Sequence, residues 1–266
     1  MENNTSLTRE KITQTLVDAL RPLDFVNALW EGGAIAFGRL DEWSDIDICV
    51  DSDDGKVKEV FPVAERALET LAPIELRYEV PLPSSHHYSQ MFYRLKGTSE
   101  FLLIDFAVFK HSAKDKLLEP EIHGRARFHF NKNDSVKLPC LDQRKLMDEM
   151  KTRIGKIQER YDMFKCFFSK QMSRGNYIEA LDLYGRLLLA PLVELLRMRH
   201  SPARHSFKTY YVHYDLPAEV VERLRQLYFV RDERDLEEKY RLAERWLRET
   251  MRALDFEEIQ RRLGSI

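Results

Sequence analysis

Gly33-Ala34-Ile35-Ala36-Phe37-Gly38-Arg39-Leu40-Asp41-Glu42-Trp43-Ser44-Asp45-Ile46-Asp47-Ile48-Cys49-Val50 is the stretch that decides the fold. It reads as a small-residue loop, a polar turn, and then a strand that opens on two alternating carboxylates. Side chains on a strand point to opposite faces in turn, so Asp45 and Asp47 share one face, roughly 7 Å apart at Cα. Ile46 and Ile48 face the other way. Two like charges side by side on a sheet are destabilising unless something positive lies between them. A hard divalent cation answers that need, because Mg²⁺ is typically held by one or two carboxylates plus substrate phosphates. The glycines ahead of the pair permit positive φ and close approach of a ligand to the backbone. A loop of converging amides beside a carboxylate-bound metal makes a triphosphate cradle.

The rest of the chain supports a folded protein of one large or two modest domains, with 266 residues of which 44% are hydrophobic. Its apolar runs, such as residues 187–193, are broken by proline or charge well short of a membrane span. The first residues are polar, with no basic-then-apolar leader pattern. Three cysteines (Cys49, Cys140 and Cys166), none in a CxxC spacing, suggest reduced thiols and a cytoplasmic protein. A net charge of −2 argues against a dedicated nucleic-acid binder. Residues 1–145 count to −5 and residues 146–266 to +3, so an acidic, metal-holding first half precedes a mildly basic second half.

Taken in order, residues 6–20 read as a capped amphipathic helix with Ile12, Leu16, Val17 and Leu20 on one face, stopped by Pro22. Residues 25–30 form a first strand. After the Asp45–Val50 strand, Asp51-Ser52-Asp53-Asp54-Gly55 is a turn whose acids are expected to face water. Residues 56–71 are helical, with Pro62 marking a start or a break. Ile74, Leu76, Tyr78 and Val80 alternate with Glu75, Arg77 and Glu79, which predicts a half-buried strand. The next loop holds His86-His87, which have no partner at metal-ligand spacing. Residues 91–95 give another strand.

Residues 101–109 are a nearly continuous apolar strand with one charge, Asp105, in the middle. A buried carboxylate is costly unless it pairs, ligates a metal or becomes neutral. An ion pair with Arg39 or Arg94 is one outlet, and a metal is the other. Residues 112–139 are polar and irregular, with room for an edge strand, and Leu138-Pro139-Cys140-Leu141-Asp142 reads as a hinge. Beyond it the period is helical: residues 144–168, 177–200 with a kink expected at Pro191, 217–229, 235–254, and a short helix after Asp255.

The glycine stretch Gly33 to Gly38 followed by Ser44-Asp45-Ile46-Asp47 resembles the nucleotidyltransferase superfamily, which includes the DNA polymerase β palm and the small antibiotic adenylyltransferases. Ala34 departs from the pattern, standing where that family usually has a serine whose hydroxyl touches phosphate. The order of elements is similar to that of the kanamycin- and lincosamide-type enzymes. The resemblance implies an α+β chain: a polymerase-β-like nucleotidyltransferase domain over residues 1–142, built as a mixed sheet with flanking helices, then an antiparallel helical bundle over residues 143–266.

It also implies an enzyme that transfers a nucleoside monophosphate with Mg²⁺, taking AMP from ATP (or another nucleoside triphosphate) and releasing pyrophosphate. The acceptor would be the hydroxyl of a small molecule such as an aminoglycoside or lincosamide, which is antibiotic-resistance chemistry. Asp45 and Asp47 would be shared metal ligands, and Asp105 would match the third carboxylate as ligand and base. Amides around Gly33 and Ala34 would hold the β- and γ-phosphates. Ser44 would orient the turn before the strand, and Arg39 is a phosphate contact or a plain surface arginine. In the helical half, Lys165, Lys170 and Arg174 are candidate phosphate cations, and Tyr210, Tyr211 and Tyr214 could stack on an acceptor. Glu179 is either a general base or an acid complementing a helix dipole. Two other readings stand beside this one: transfer to a protein or tRNA, as in toxin–antitoxin relatives, and a nucleotide-binding module without turnover, which Ala34 favours. A homodimer is left open.

Overall fold

Helix α1 (Arg9–Leu20) begins at Thr8, whose hydroxyl accepts from the Lys11 amide at 3.3 Å. That bond satisfies one of the amides a helix start leaves unpaired. The helix turns Ile12, Leu16, Val17 and Leu20 fully inward, as a 3.6-residue apolar stripe dictates. These contacts are seen in a computed structural model that describes residues 7–81 and 88–264. Ser6 and the His86-His87 pair lie outside the described residues. The chain divides into two units, Met1–Leu141 and Asp142–Ile266.

The first unit is built on six strands: β1 (Val26–Glu31), β2 (Ile46–Ser52), β3 (Ile74–Glu79), β4 (Tyr88–Leu95), β5 (Ile104–Lys110) and β6 (Arg127–Asn131). They lie in the order β3-β4-β5-β2-β1-β6. Strands β2 and β5 run parallel and the other neighbours antiparallel, so the sheet is mixed and the architecture α+β. The glycine stretch is not an open loop: residues Gly33–Ala36 wind into one helical turn, α2. Helix α3 (Val57–Glu69) runs through Pro62 without ending there. A short turn of helix, α4 (Pro120–His123), precedes β6.

Alternation along the strands separates two faces. Ile46, Ile48, Val50, Met91, Tyr93 and Phe106 pack with α1 and α3 into the main core. The opposite face carries Asp47, Cys49 and Asp51 of β2 and Asp105, Ala107 and Phe109 of β5. A smaller cluster of Trp30, Ala107, Phe109, Leu118 and Val136 covers its far end. Cys49 packs against that cluster, and burial pushes its thiol up.

Two local expectations are corrected here. Asp51 is not a water-facing turn acid but the sixth residue of β2, fully buried. His111 Nδ1 lies 2.7 Å from its carboxylate, Asn27 donates to it at 3.1 Å, and Lys116 stands 3.4 Å away; the charge is tolerated because it is paired. Strand β3 is not half-buried. It is the sheet edge, and Leu76 and Tyr78 face outward.

The second unit is helical throughout its described residues: α5 (Gln143–Ser173), α6 (Tyr177–Tyr184), α7 (Ala190–His200), α8 (Val212–Asp215), α9 (Ala218–Tyr228), α10 (Glu233–Arg252) and α11 (Phe256–Gly264). Between α6 and α7 the chain stays helical but widens into a π turn, Gly185–Leu189. Pro191 follows two residues after its end. Its ring would meet the carbonyl four residues back, and a widened turn relieves that clash.

Arg197 of α7 is fully buried, and it is the nail of the 201–215 loop. Nε donates to the Lys208 carbonyl at 2.7 Å, Nη1 to the Arg204 carbonyl at 3.2 Å and to Asp215 Oδ2 at 2.9 Å, and Nη2 to the Tyr210 carbonyl. Arg197→Ala removes the donor from those acceptors, among them the fully buried Asp215 carboxylate. The expected loss is about 3 kcal/mol of unfolding free energy, the low end for a broken buried pair because Arg204 still faces Asp215 at 2.9 Å. Urea denaturation checks it, and a loss under about 1 kcal/mol would mean the loop does not depend on this side chain.

Candidate active site

The β2–β5 register brings the acids together. Asp47 and Asp105 are direct partners on the two parallel strands, so their Cα atoms are about 4.8 Å apart, the spacing of neighbouring strands. Each is the second residue of its strand. Asp45 lies one step before β2, on the same face as Asp47 by alternation. Burial, reinforced by the charges of Asp45 and Asp105, pushes Asp47 up to about 7. Burial also raises Asp105, to about 6, against the opposing pull of its Gln90 hydrogen bonds and with a further push from Asp45. These are the shifts expected of carboxylates that share one buried site. Among the described residues no three His, Cys, Asp or Glu side chains are already gathered closely enough to hold a metal ion by themselves.

The glycine turn closes on this pair from the β1 side. The Gly32 amide donates to the Asp47 carbonyl at 3.0 Å. Gly33 has φ +58°, and a Cβ there would lie 1.8 Å from Asp47 Oδ2. The carboxylate therefore fills the space a side chain would take, and only glycine fits. Ala34 sits in the following helical turn, where its carbonyl accepts from the Arg39 amide at 2.9 Å.

Ser44 belongs to the turn: its hydroxyl donates to Asp41 Oδ1 at 2.7 Å and accepts from the Asp41 amide at 3.1 Å. The Arg39 guanidinium lies 5.0 Å above the Phe37 ring. Arg94 pairs with Glu75 at 3.1 Å, so it is not the outlet for the Asp105 charge.

Asp105 is held instead by Gln90 of β4, whose Nε2 donates to both carboxylate oxygens at 2.7 and 2.8 Å. Arg9 was equally hidden in the sequence. From the first turn of α1 its Nη2 donates to the Ser44 carbonyl at 2.8 Å and to the Asp45 carbonyl. The same guanidinium stands 3.9 Å from buried Glu31, whose other oxygen meets His129 Nε2 at 2.8 Å. Arg9 thus ties α1 to the turn that presents Asp45, and its charge pulls the Asp47 carboxyl down. Trp43 and Phe101 form an exposed edge-to-face pair, centroids 4.8 Å apart, on the segments leading into β2 and β5.

The remaining candidates lie in the second unit. Glu179 is exposed in the first turn of α6, and exposed Lys165 stands 3.5 Å from Asp162. Tyr210, Tyr211 and Tyr214 are exposed as well. A concavity of about 760 Å³ is lined by second-unit residues that include Arg144, Lys145, Arg153, Glu194 and His205. No candidate site residue is among its lining.

Comparison with protein-family models gives no match, and comparison with curated proteins gives none. Among solved structures the chain is similar to an aminoglycoside 6-adenyltransferase from Bacillus subtilis, at 13% identity and a TM-score of 0.32, over 97% of this chain and 98% of that one. At so loose a likeness, the reading of this site rests on its own side chains. Among the described residues no helix is long and apolar enough to cross a membrane.

Proposed function

We propose that the chain transfers a nucleoside monophosphate, AMP from ATP, to a hydroxyl of a small acceptor of the aminoglycoside or lincosamide type, with Mg²⁺, releasing pyrophosphate. The observation that carries the reading is the alignment of Asp47 with Asp105 on parallel strands, with Gly33 closed against Asp47. The donor set fits the ion. Hard carboxylate oxygens crowd one spot, two of them with raised pKa values that a cation would reverse. Asp45, Asp47 and Asp105 would hold it, and it would supply charge neutralisation at the phosphoryl oxygens.

The chain's own residues supply the rest. Amides of Gly33 and Ala34 bind the β- and γ-phosphates. The acceptor oxygen forms its bond to the α-phosphorus while the bond to the bridging oxygen breaks, and pyrophosphate leaves with that electron pair. The hydroxyl proton passes to Asp105, the carboxylate that Gln90 steadies from β4. Gln90 keeps that carboxylate in one orientation until substrate arrives. Glu179 then serves only the dipole of its helix. The second unit is read as the antiparallel bundle of such enzymes.

Purified protein with Mg²⁺, each of ATP, CTP, GTP and UTP, and a panel of aminoglycosides and lincosamides is expected to release pyrophosphate in step with acceptor labelling. Asp45→Asn is expected to stop it. Silence across the whole panel sinks the small-acceptor reading. Label from α-labelled ATP appearing in protein or tRNA would move the acceptor to a macromolecule.

A further inference from the structure

One line of side chains crosses the open face of the sheet at the level of the carboxylates. It starts at the Gly33 turn and passes Asp47 on β2 and Asp105 on β5. It continues to Phe92 on β4, the register partner of Asp105, and ends at Tyr78 on β3, the register partner of Phe92. Half of the line is acidic and half aromatic. The Phe92 and Tyr78 rings are 6.4 Å apart at 39°. Tyr78 is 60% exposed and its neighbour Leu76 53%.

Among the described residues, Leu76, Tyr78 and Phe92 belong to neither apolar cluster of the sheet. Edge strands are ordinarily blunted by charge or proline. Here the charge is spent elsewhere: Arg77 reaches Glu65 of α3 at 2.8 Å, and Arg94 takes Glu75. What remains on the open face is a flat strip that runs directly into the acids.

An in-line displacement puts the entering and leaving oxygens on opposite sides of the phosphorus. With pyrophosphate departing toward the glycine turn, the acceptor enters from the other end of the line. We propose that Phe92 and Tyr78 form a stacking shelf for the acceptor, selecting a hydroxylated ring with a flat apolar face, a sugar ring, whose hydroxyl lies toward Asp105. Two strand spacings separate Asp105 from Tyr78, about 10 Å, which accommodates a ring seated between base and shelf. An open-chain polyol or a serine hydroxyl on a peptide gains nothing from such a surface. The direction of attack rests on the nucleotidyl-transfer reading, whereas ring binding does not.

The test therefore reads binding without nucleotide. Saturation-transfer NMR on the full chain with methyl β-glucopyranoside is expected to show saturable binding, weakened about fivefold or more in Tyr78→Ala and in Phe92→Leu. Glycerol is expected to show no saturable binding. Tyr78 is exposed, so its variant folds and decides the matter even if Phe92→Leu does not. Equal affinity in wild type and Tyr78→Ala overturns the shelf, as does the absence of saturable binding to the wild type. A dimer that Tyr78→Ala dissolves, seen by sedimentation, assigns the strip to a second copy and overturns it too. Pyrophosphate release is measured separately. Binding that persists where the wild type never releases pyrophosphate removes the transfer reading and leaves the shelf standing.

Discussion

Asp47→Asn is expected to cut pyrophosphate release by roughly 10³-fold or more while making the fold more stable at pH 8. The loss follows from its place between Gly33 and Asp105, where a neutral amide no longer anchors a cation. The gain follows from linkage. An unfolded aspartate ionises near 3.9, and folded Asp47 near 7. Between those values the folded state keeps a proton that the unfolded chain has released. Its contribution is therefore most favourable below about pH 4 and declines as pH rises through about 7. Asparagine carries no such penalty, so the variant's advantage grows across that window to about 1–3 kcal/mol at pH 8 and fades toward pH 4. Urea midpoints of both proteins in chelator at pH 4 and 8 check the sign, and Mg²⁺ is expected to close the gap by stabilising the wild type alone. A variant less stable than wild type at pH 8, or one that still turns over, would remove the crowded-carboxylate account.

Gly33→Ala is the second large effect. The residue's φ of +58° already disfavours an L side chain, at a cost of about 1–2 kcal/mol. The new methyl would also sit 1.8 Å from Asp47 Oδ2, so the carboxylate or the turn has to move. Displacement of about 1 Å at a reacting centre costs on the order of 10²-fold in rate. The variant is thus expected to lose about 2–4 kcal/mol of stability and at least 10²-fold in turnover. Gly32→Ala is the control: its φ is −108° and nothing lies within 4 Å of the added carbon, so its stability should change by under about 0.5 kcal/mol. Equal effects of the two substitutions would show that the Gly33–Asp47 contact is not what positions the acid.

What sequence reasoning reaches here is set by the range of each signal. Alternation along one strand puts Asp45 and Asp47 on a common face, and a single charge inside an apolar run marks Asp105. Both signals are local. Gln90 and Arg9 were invisible because their partners are set by strand order and helix docking, which no local pattern encodes. Asp51 misled for a related reason. Its acidic, glycine-ended surroundings read as a turn, yet β2 runs on to Ser52, and the residues that neutralise Asp51 come from as far as Lys116. Leu76 and Tyr78 show the limit of periodicity itself: it reports which side chains share a face, not whether anything covers that face. Ala36 and Phe37 carry a similar lesson, since composition suggested a loop and the chain makes a helical turn there.

The parallel pairing of β2 with β5 also bears on how the molecule comes into being. Asp47 and its partner are fifty-eight positions apart, with α3, β3 and β4 lying between them in sequence. Contacts of such long sequence separation pay their loop-closure entropy before they return anything, so they tend to form late. A nascent chain leaving the ribosome has α1, β1 and β2 well before β5 is made, and until then Asp105 does not meet Asp45 and Asp47. The third carboxylate thereby joins the other two only when β5 pairs with β2, and a chain interrupted before Asp105 would lack that added crowding and the chemistry together.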